Sequence, residues 1–394
     1  MTTRTSPSGH AVMRSPRDAG RRRLAALREL MDERRLDLVV AYGSGQHHFI
    51  GANACWYLSG VRQMGRDAAL AVPLEGEPVL VLTPVWDGAR ARRRGWIDDV
   101  VAAEELLPAL SHELKARGWS DGRRAGFVGL ARAASDVAAA LRGVLAGATD
   151  ADDLFLRLTH TRDELGIALI EQAVAIADEG YRHLLDVARP GMREYELAAE
   201  CDWKMRSLGA DDNFQLISAS QHGHAVRAPG TRELREGDVI LGEISPSVSG
   251  QFAQICRTAV IGEPTRAHRD AYDILVEAFE VGLRALTPGN TIGAVAKAMN
   301  ALVTERGFGR YTKPPYMRSR GHAMGLTPLV PADVSEGNET VVEPGMSFVL
   351  HPNQYMGEAA YQLCGEQVVI EESGARVITD RPLALDVIET EGRA

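Results

Sequence analysis

From Asp18 the apolar residues recur at helical spacing, with Leu24, Leu27, Leu30 and Met31 on one face and Arg and Glu on the other. Leu36 to Tyr42 is then a continuous apolar run, the pattern of a buried strand. Ala68 to Val72 and Pro78 to Leu82 read as a hairpin pair with Glu75-Gly76-Glu77 between them. The alternation continues to about Ala148 and predicts an α/β domain over residues 17–150. Thr149 to Asp153 is polar and small, as a boundary should be. A long helix is predicted over Asp163 to Val187, apolar at Leu165, Leu169, Ile170, Ala173 and Ile176. Arg189-Pro190-Gly191-Met192 ends it in a turn, and a second helix begins at Glu194. A matching Pro288-Gly289 follows another predicted helix, Tyr272 to Leu286. A second domain is therefore expected over residues 151–394.

Gly237 to Thr258 reads as two short strands around a turn. Val239, Ile240, Leu241 and Ile244 form the first arm, Ser245-Pro246-Ser247 and Ser249-Gly250 supply turn chemistry, and strand character resumes at Phe252. Glu243 and Gln254 stand eleven positions apart on the two arms, so a hairpin brings both to one place.

Composition narrows the class. The chain has 394 residues, 45% hydrophobic and 25% charged, which suits two domains with ample core. A formal charge of -9 argues against nucleic acid or an anionic membrane as partner. Cys55, Cys201, Cys256 and Cys364 are scattered, with neither zinc-type pairing nor a disulfide framework, so a cytoplasmic location is expected. No apolar run approaches the roughly 18 residues of a membrane span. The first 16 residues are basic and Ser-rich, lack the apolar core of a signal peptide, and are expected to be disordered.

The hairpin resembles that of the pita-bread family, which includes methionine aminopeptidases, prolidases, Xaa-Pro aminopeptidases and creatinase. The family's peptidases carry an Asp on each arm, eleven apart, followed by Arg-Thr. Here Arg257-Thr258 keeps the ending, while the Asp positions read Glu243 and Gln254. Trp56-Tyr57-Leu58-Ser59-Gly60 resembles the family's Tyr-Leu-x-Gly turn, and the two Pro-Gly turns match its half-repeat. The resemblance implies an α/β N-terminal creatinase-like domain followed by an α+β pita-bread domain, and a homodimer.

In the family's metallopeptidases two divalent ions sit on Asp, Asp, His, Glu and Glu. By resemblance the five positions here are Glu243, Gln254, His322 (in Gly321-His322-Ala323-Met324-Gly325), His351 (in His351-Pro352) and Gly365, with Glu366 next to it. Gln254 is neutral and Gly365 has no side-chain donor, so a dinuclear site is not expected. Creatinase, a member that works without metal, sets the main expectation. It is a metal-independent hydrolase or lyase, without cofactor, acting on a C–N bond of a small amidine, guanidine or amide. His224 or His222 would move the proton, since a neutral imidazole can give or take one near pH 7. Glu243 and Glu366 would hold a cationic group, and His322, His351 and Gln254 would position substrate and water. Phe214 and Tyr361 would line the pocket, and Arg62 and Arg66 would meet a carboxylate, in a creatinase-like dimer from the partner's side. The first alternative is a metal-dependent Xaa-Pro peptidase-like hydrolase with one ion on His322, His351 and Glu243, since two imidazoles and a carboxylate suit zinc. The second is a non-catalytic binding module.

Overall fold

The computed structural model describes residues 15–45, 49, 51–120, 122–221, 225–327 and 330–390. The disorder expected for residues 1–16 falls, up to residue 14, outside them. Ser15 and Pro16 depart from that expectation. Ser15 Oγ accepts from Asp18 N–H at 3.2 Å, and Pro16 opens the helix Pro16–Glu33. A hydroxyl cap followed by Pro is a strong helix start.

The chain divides into two units. The first carries strands β1 (Leu38–Ser44), β2 (Asp67–Pro73), β3 (Val79–Leu82), β4 (Asp99–Ala102), β5 (Ala125–Val128) and β6 (Thr149–Asp150). They form one sheet in the order β4-β3-β2-β1-β5-β6. The β2–β3 hairpin is antiparallel, as its sequence predicts, and β1 pairs antiparallel with β2 and parallel with β5. Leu38, Val40, Phe127, Leu110 and Leu141 share one core between this sheet and the helices Leu106–Ala116 and Ser135–Val144. The unit extends to Leu158, beyond the expected boundary at 150. The helix Asp152–Leu158 buries Leu154 and Phe155, and the Phe155 ring meets Tyr57 edge-on at 5.7 Å. Those apolar contacts outweigh the polar residues that mark 149–153 as a linker.

The second unit carries β7 (Asp212–Ser220), β8 (Val239–Val248), β9 (Gln251–Phe252), β10 (Ile255–Ile261), β11 (Gly321–Ala323), β12 (Ser347–Leu350), β13 (Gln354–Tyr355), β14 (Tyr361–Gln362), β15 (Glu366–Glu371), β16 (Gly374–Val377) and β17 (Asp386–Ile388). One sheet runs β17-β10-β8-β7, with β9 on β8, and another runs β11-β12-β15-β16. Glu164–Val187 and Glu194–Ser207 pack on the first through Tyr181, Leu197, Ile217 and Ile244. Arg266–Ala285 and Ile292–Val303 pack on the second through Phe279, Val295, Phe348 and Leu350.

The two halves repeat one hydrogen-bonding scheme. Gly191 N–H donates to Leu234 carbonyl at 2.9 Å, and Gly289 N–H donates to Val342 carbonyl at 3.0 Å. Both glycines follow proline and take a left-handed φ, 86° and 87°. A residue with a Cβ resists that conformation, so each Pro-Gly pair sets the same reversal between helices. The sheets meet where Cys256 and Gly365 exchange backbone bonds of 3.0 and 3.1 Å. Val239, Leu241, Cys256, Val349 and Leu363 fill the space between them. The polar side chains of the candidate site line this junction.

Candidate functional site

The hairpin register decides which side chains meet. Glu243 lies directly opposite Cys256 on β10. Gln254, two residues before Cys256, falls on the same side, because side chains alternate along a strand. On the other sheet, His322 lies opposite Val349, and His351 N–H donates to Arg320 carbonyl at 3.0 Å. The His322 and His351 ring centroids are 5.3 Å apart, at 70° to each other.

Burial controls the charge of this group. His351 is 8% exposed. Burial, then the neighbouring His322 and Arg320, push its imidazole down to about 3. Burial also lowers His322, against the Ala323 carbonyl, which lies 2.9 Å from Nδ1. Both rings are therefore neutral at pH 7. That charge state suits a metal ligand, and His351 is unsuited to carry protons at neutral pH. His351 Nδ1 is buried with no hydrogen-bond partner.

Burial raises the Glu243 carboxyl to about 7. Asn353 Nδ2 donates to Glu243 Oε1 at 3.3 Å, and Asn353 Oδ1 accepts from Cys364 N–H at 3.0 Å. Sequence reasoning missed Asn353. Its only signal is a polar residue two positions after His351, and its meaning depends on strands brought together by folding. The raised carboxyl gives a test in protein freed of metal by chelator. Its folded value exceeds the ordinary 4.5, so this group favours folding most at low pH and that contribution is lost as pH rises toward 7. Urea denaturation across this window is expected to show stability falling with pH, and Glu243→Gln is expected to remove that part of the slope. An unchanged slope in the variant would show the carboxyl to be solvated.

Gln254 is 1% exposed. Its N–H donates to Gln367 Oε1 at 3.2 Å, Gln367 Nε2 donates to Ser347 Oγ at 2.7 Å, and Gln254 Oε1 has no partner. Phe214 stacks on Phe49 at 4.5 Å, and Phe49 meets Phe252 and His322 edge-on at 5.4 and 6.3 Å. The aromatic wall expected at Phe214 thus ends on His322, with Phe49 as a member the sequence did not point to. Tyr361 packs with Leu241, Cys256 and Val349. Burial first, then Glu243, raise its phenol, which stays protonated.

One expectation changes. Glu366 does not present a free carboxylate for a cationic ligand. Arg257 Nη2 holds its Oε2 at 3.0 Å, and both residues are almost wholly buried. The same guanidinium lies 3.6 Å from Asp178 Oδ1 and donates to Gly365 carbonyl at 2.8 Å. Arg62 and Arg66 belong to the first unit, where the Arg62 guanidinium lies 5.4 Å from the Trp56 ring centroid. His222 and His224 lie outside the described residues.

Two of the five family positions do not fit a two-ion site. Gln254 supplies no negative charge, and Gly365 supplies neither a donor nor room for one. A Cβ on Gly365 would stand 2.5 Å from His351 Cβ and 3.0 Å from Leu350 carbonyl oxygen. Gly365→Ala is therefore expected to cost about 1–3 kcal/mol of stability by overpacking. Urea midpoints check this, and a variant as stable as the parent would show that His351 yields freely. The three remaining donors fit one ion in kind. Two neutral imidazoles and a buried carboxylate form a borderline N/O set, and His351 Nδ1 and Gln254 Oε1 are buried polar atoms still lacking partners. Among the described residues no three His, Cys, Asp or Glu side chains stand in an arrangement that could hold a metal ion, so the fit is one of donor chemistry and not of geometry.

Comparison with known proteins places this geometry. Residues 168–379 match the model described as metallopeptidase family M24, and residues 23–158 match the creatinase/prolidase N-terminal domain. The chain is 30% identical over 241 residues to an uncharacterized peptidase of Bacillus subtilis, covering 59% of this chain and 65% of that protein. It is 29% identical over 227 residues to an Xaa-Pro dipeptidase of Pyrococcus furiosus, covering 57% and 64%. The aligned part is thus less than two thirds of either relative. Among solved structures, an Xaa-Pro dipeptidase from Bacillus anthracis superposes with a TM-score of 0.78 at 21% identity, covering 93% of this chain and 99% of that one. The prolidase from Pyrococcus horikoshii gives 0.77 at 21%, covering 92% and 100%. These likenesses bear out the pita-bread architecture.

They also overturn the main functional expectation, a metal-independent, creatinase-like hydrolase of amidines or guanidines without cofactor. The matched family is one of metallopeptidases, and the relatives compared above carry peptidase or Xaa-Pro dipeptidase names. The physical error was to equate loss of two donors with loss of the metal. Four of the five positions are replaced, but only Gln254 and Gly365 fail as donors for a two-ion site, which still leaves three donors.

Proposed function

Since the chain belongs to metallopeptidase family M24, we propose that it hydrolyses a short peptide of the Xaa-Pro type with one divalent ion held by Glu243, His322 and His351. The observation that carries this reading is that the donors left at the family's ligand positions are a pair of buried neutral imidazoles and a buried carboxyl raised to about 7. Burial of a carboxylate without a cation is costly, and a cation at its side would return it to the ionised form. A divalent ion supplies Lewis-acid polarisation of a carbonyl and a more acidic bound water.

The chain's own groups account for the rest. Asn353 holds the Glu243 carboxyl in place through one hydrogen bond. The Gln254 carbonyl oxygen accepts a hydrogen bond from an N–H of the peptide. Tyr361, kept protonated, donates a hydrogen bond to the oxygen that gains charge as the amide is attacked. Phe214, Phe49 and Phe252 form an apolar wall that suits the ring of a prolyl residue and excludes water. Among the described residues no helix is long and apolar enough to cross a membrane, and the four cysteines are free and buried. Cysteines in that state support the reading of a cytoplasmic enzyme.

The test is hydrolysis of a panel of Xaa-Pro dipeptides by the full chain, before and after chelation and with zinc, manganese or cobalt restored. Activity lost to chelator and regained with one equivalent of metal supports the reading. Turnover that survives full metal removal would overturn it.

A further inference from the structure

We propose that the second unit holds a separate binding site for a small anion, a carboxylate or a phosphate, built on Arg320, Arg318 and Lys313. The three line a cleft of about 290 Å³ together with Asn300, Ser319 and Glu336. Neither Glu243, His322 nor His351 lines it.

Arg320 carries the argument. It is 1% exposed. Its Nε donates to Asn300 Oδ1 at 2.6 Å and its Nη1 to Pro352 carbonyl at 3.2 Å, while Nη2 has no partner. No carboxylate lies in salt-bridge range of it among the described residues, whereas the buried Arg23 and Arg257 each hold one, Asp163 and Glu366. A buried guanidinium without a carboxylate in contact is disfavoured, and an anion in the cleft would offset its charge. Lys313 and Arg318, both exposed, likewise form no ion pair among the described residues. The one acid on the wall, Glu336, accepts from Asn300 Nδ2 at 2.6 Å. Three cationic residues and one acid thus line the cleft in a chain whose formal charge is -9, so general basicity does not explain the cluster.

The chemistry selects an oxyanion. A guanidinium offers planar N–H donors that match carboxylate or phosphate oxygens, and a lysine adds a mobile point charge. The volume approaches the lower end for small-molecule pockets, about 300 Å³, which suits a small acid or phosphate ester rather than a peptide.

The test is calorimetric titration of the full chain at low ionic strength with inorganic phosphate and, separately, succinate. Saturable binding of at least one probe is expected, weakened at least about tenfold in a Lys313→Ala/Arg318→Ala double variant and unchanged in Lys115→Ala. Arg320→Met is expected to abolish binding, and the surface double variant carries the test if that protein does not fold. Binding of phosphate alone identifies a phosphate site, binding of succinate alone a carboxylate site, and binding of both a general oxyanion site. Absence of saturable heat with both probes up to about 10 mM, or undiminished binding in the double variant, would overturn the proposal.

Discussion

Exchange of His322 or His351 for alanine is expected to remove the bound metal and the peptidase activity together. Wild-type protein purified without chelator should carry close to one equivalent of a divalent metal by elemental mass spectrometry. Each alanine variant should lose more than about 100-fold in metal affinity, since even groups that only orient a ligand cost about 10–100-fold. Turnover should fall on the order of 10³-fold, the loss of about 4 kcal/mol of transition-state stabilisation. The coupling of the two losses is the informative part. Both imidazoles are neutral at pH 7 and their rings stand 5.3 Å apart. With Glu243 they are the donors left of the family's five positions. Metal retained at full occupancy in both variants would place the ion elsewhere. Less than about a tenth of an equivalent in the wild-type protein would remove the metallopeptidase reading altogether.

Arg257→Met is expected to give the largest loss of stability, about 3–5 kcal/mol, because it leaves buried carboxylates without their counter-charge. Arg257 is 1% exposed, and its guanidinium joins Glu366, Asp178 and the carbonyls of Cys256 and Gly365. It therefore ties the two sheets together at the junction that carries the site. In the parent, burial raises Glu366 and Arg257 opposes that shift. Without the arginine the Glu366 value rises further above its unfolded value. Folding then keeps this group's contribution at low pH and loses it as pH rises from the ordinary carboxylate range of about 4.3. Urea denaturation of the variant at several pH values checks both the size and the sign. Adding Glu366→Gln should recover part of the loss by removing one orphaned charge. A midpoint within experimental error of the parent would show that the network is a spectator.

Much of the fold is present in local pattern. Helical periodicity over 163–187, the strand runs around Gly76, and the two Pro-Gly turns each depend on residues close in sequence, where sterics and burial act directly. The Glu243–Gln254 spacing is of the same kind, since a short hairpin brings two arms together whatever surrounds it. Positions His322, His351 and Gly365 were legible by resemblance, because each stands beside Gly or Pro landmarks.

What the chain alone determined is therefore the architecture, the positions that face the junction of the two sheets, and the loss of two metal donors. The tertiary structure decided which of those polar groups are free. Glu366 looked available until Arg257, over a hundred residues earlier, was found bound to it. Asn353, which the sequence reading did not single out, is set against Glu243 only by folding. Phe49 joined the wall of a unit that otherwise begins after it by more than a hundred residues. Arg320 gained meaning only as a buried cation without a carboxylate. In every case the deciding quantity is an electrostatic or packing partner supplied from a distant segment, and local sequence holds no record of which segments burial will bring together.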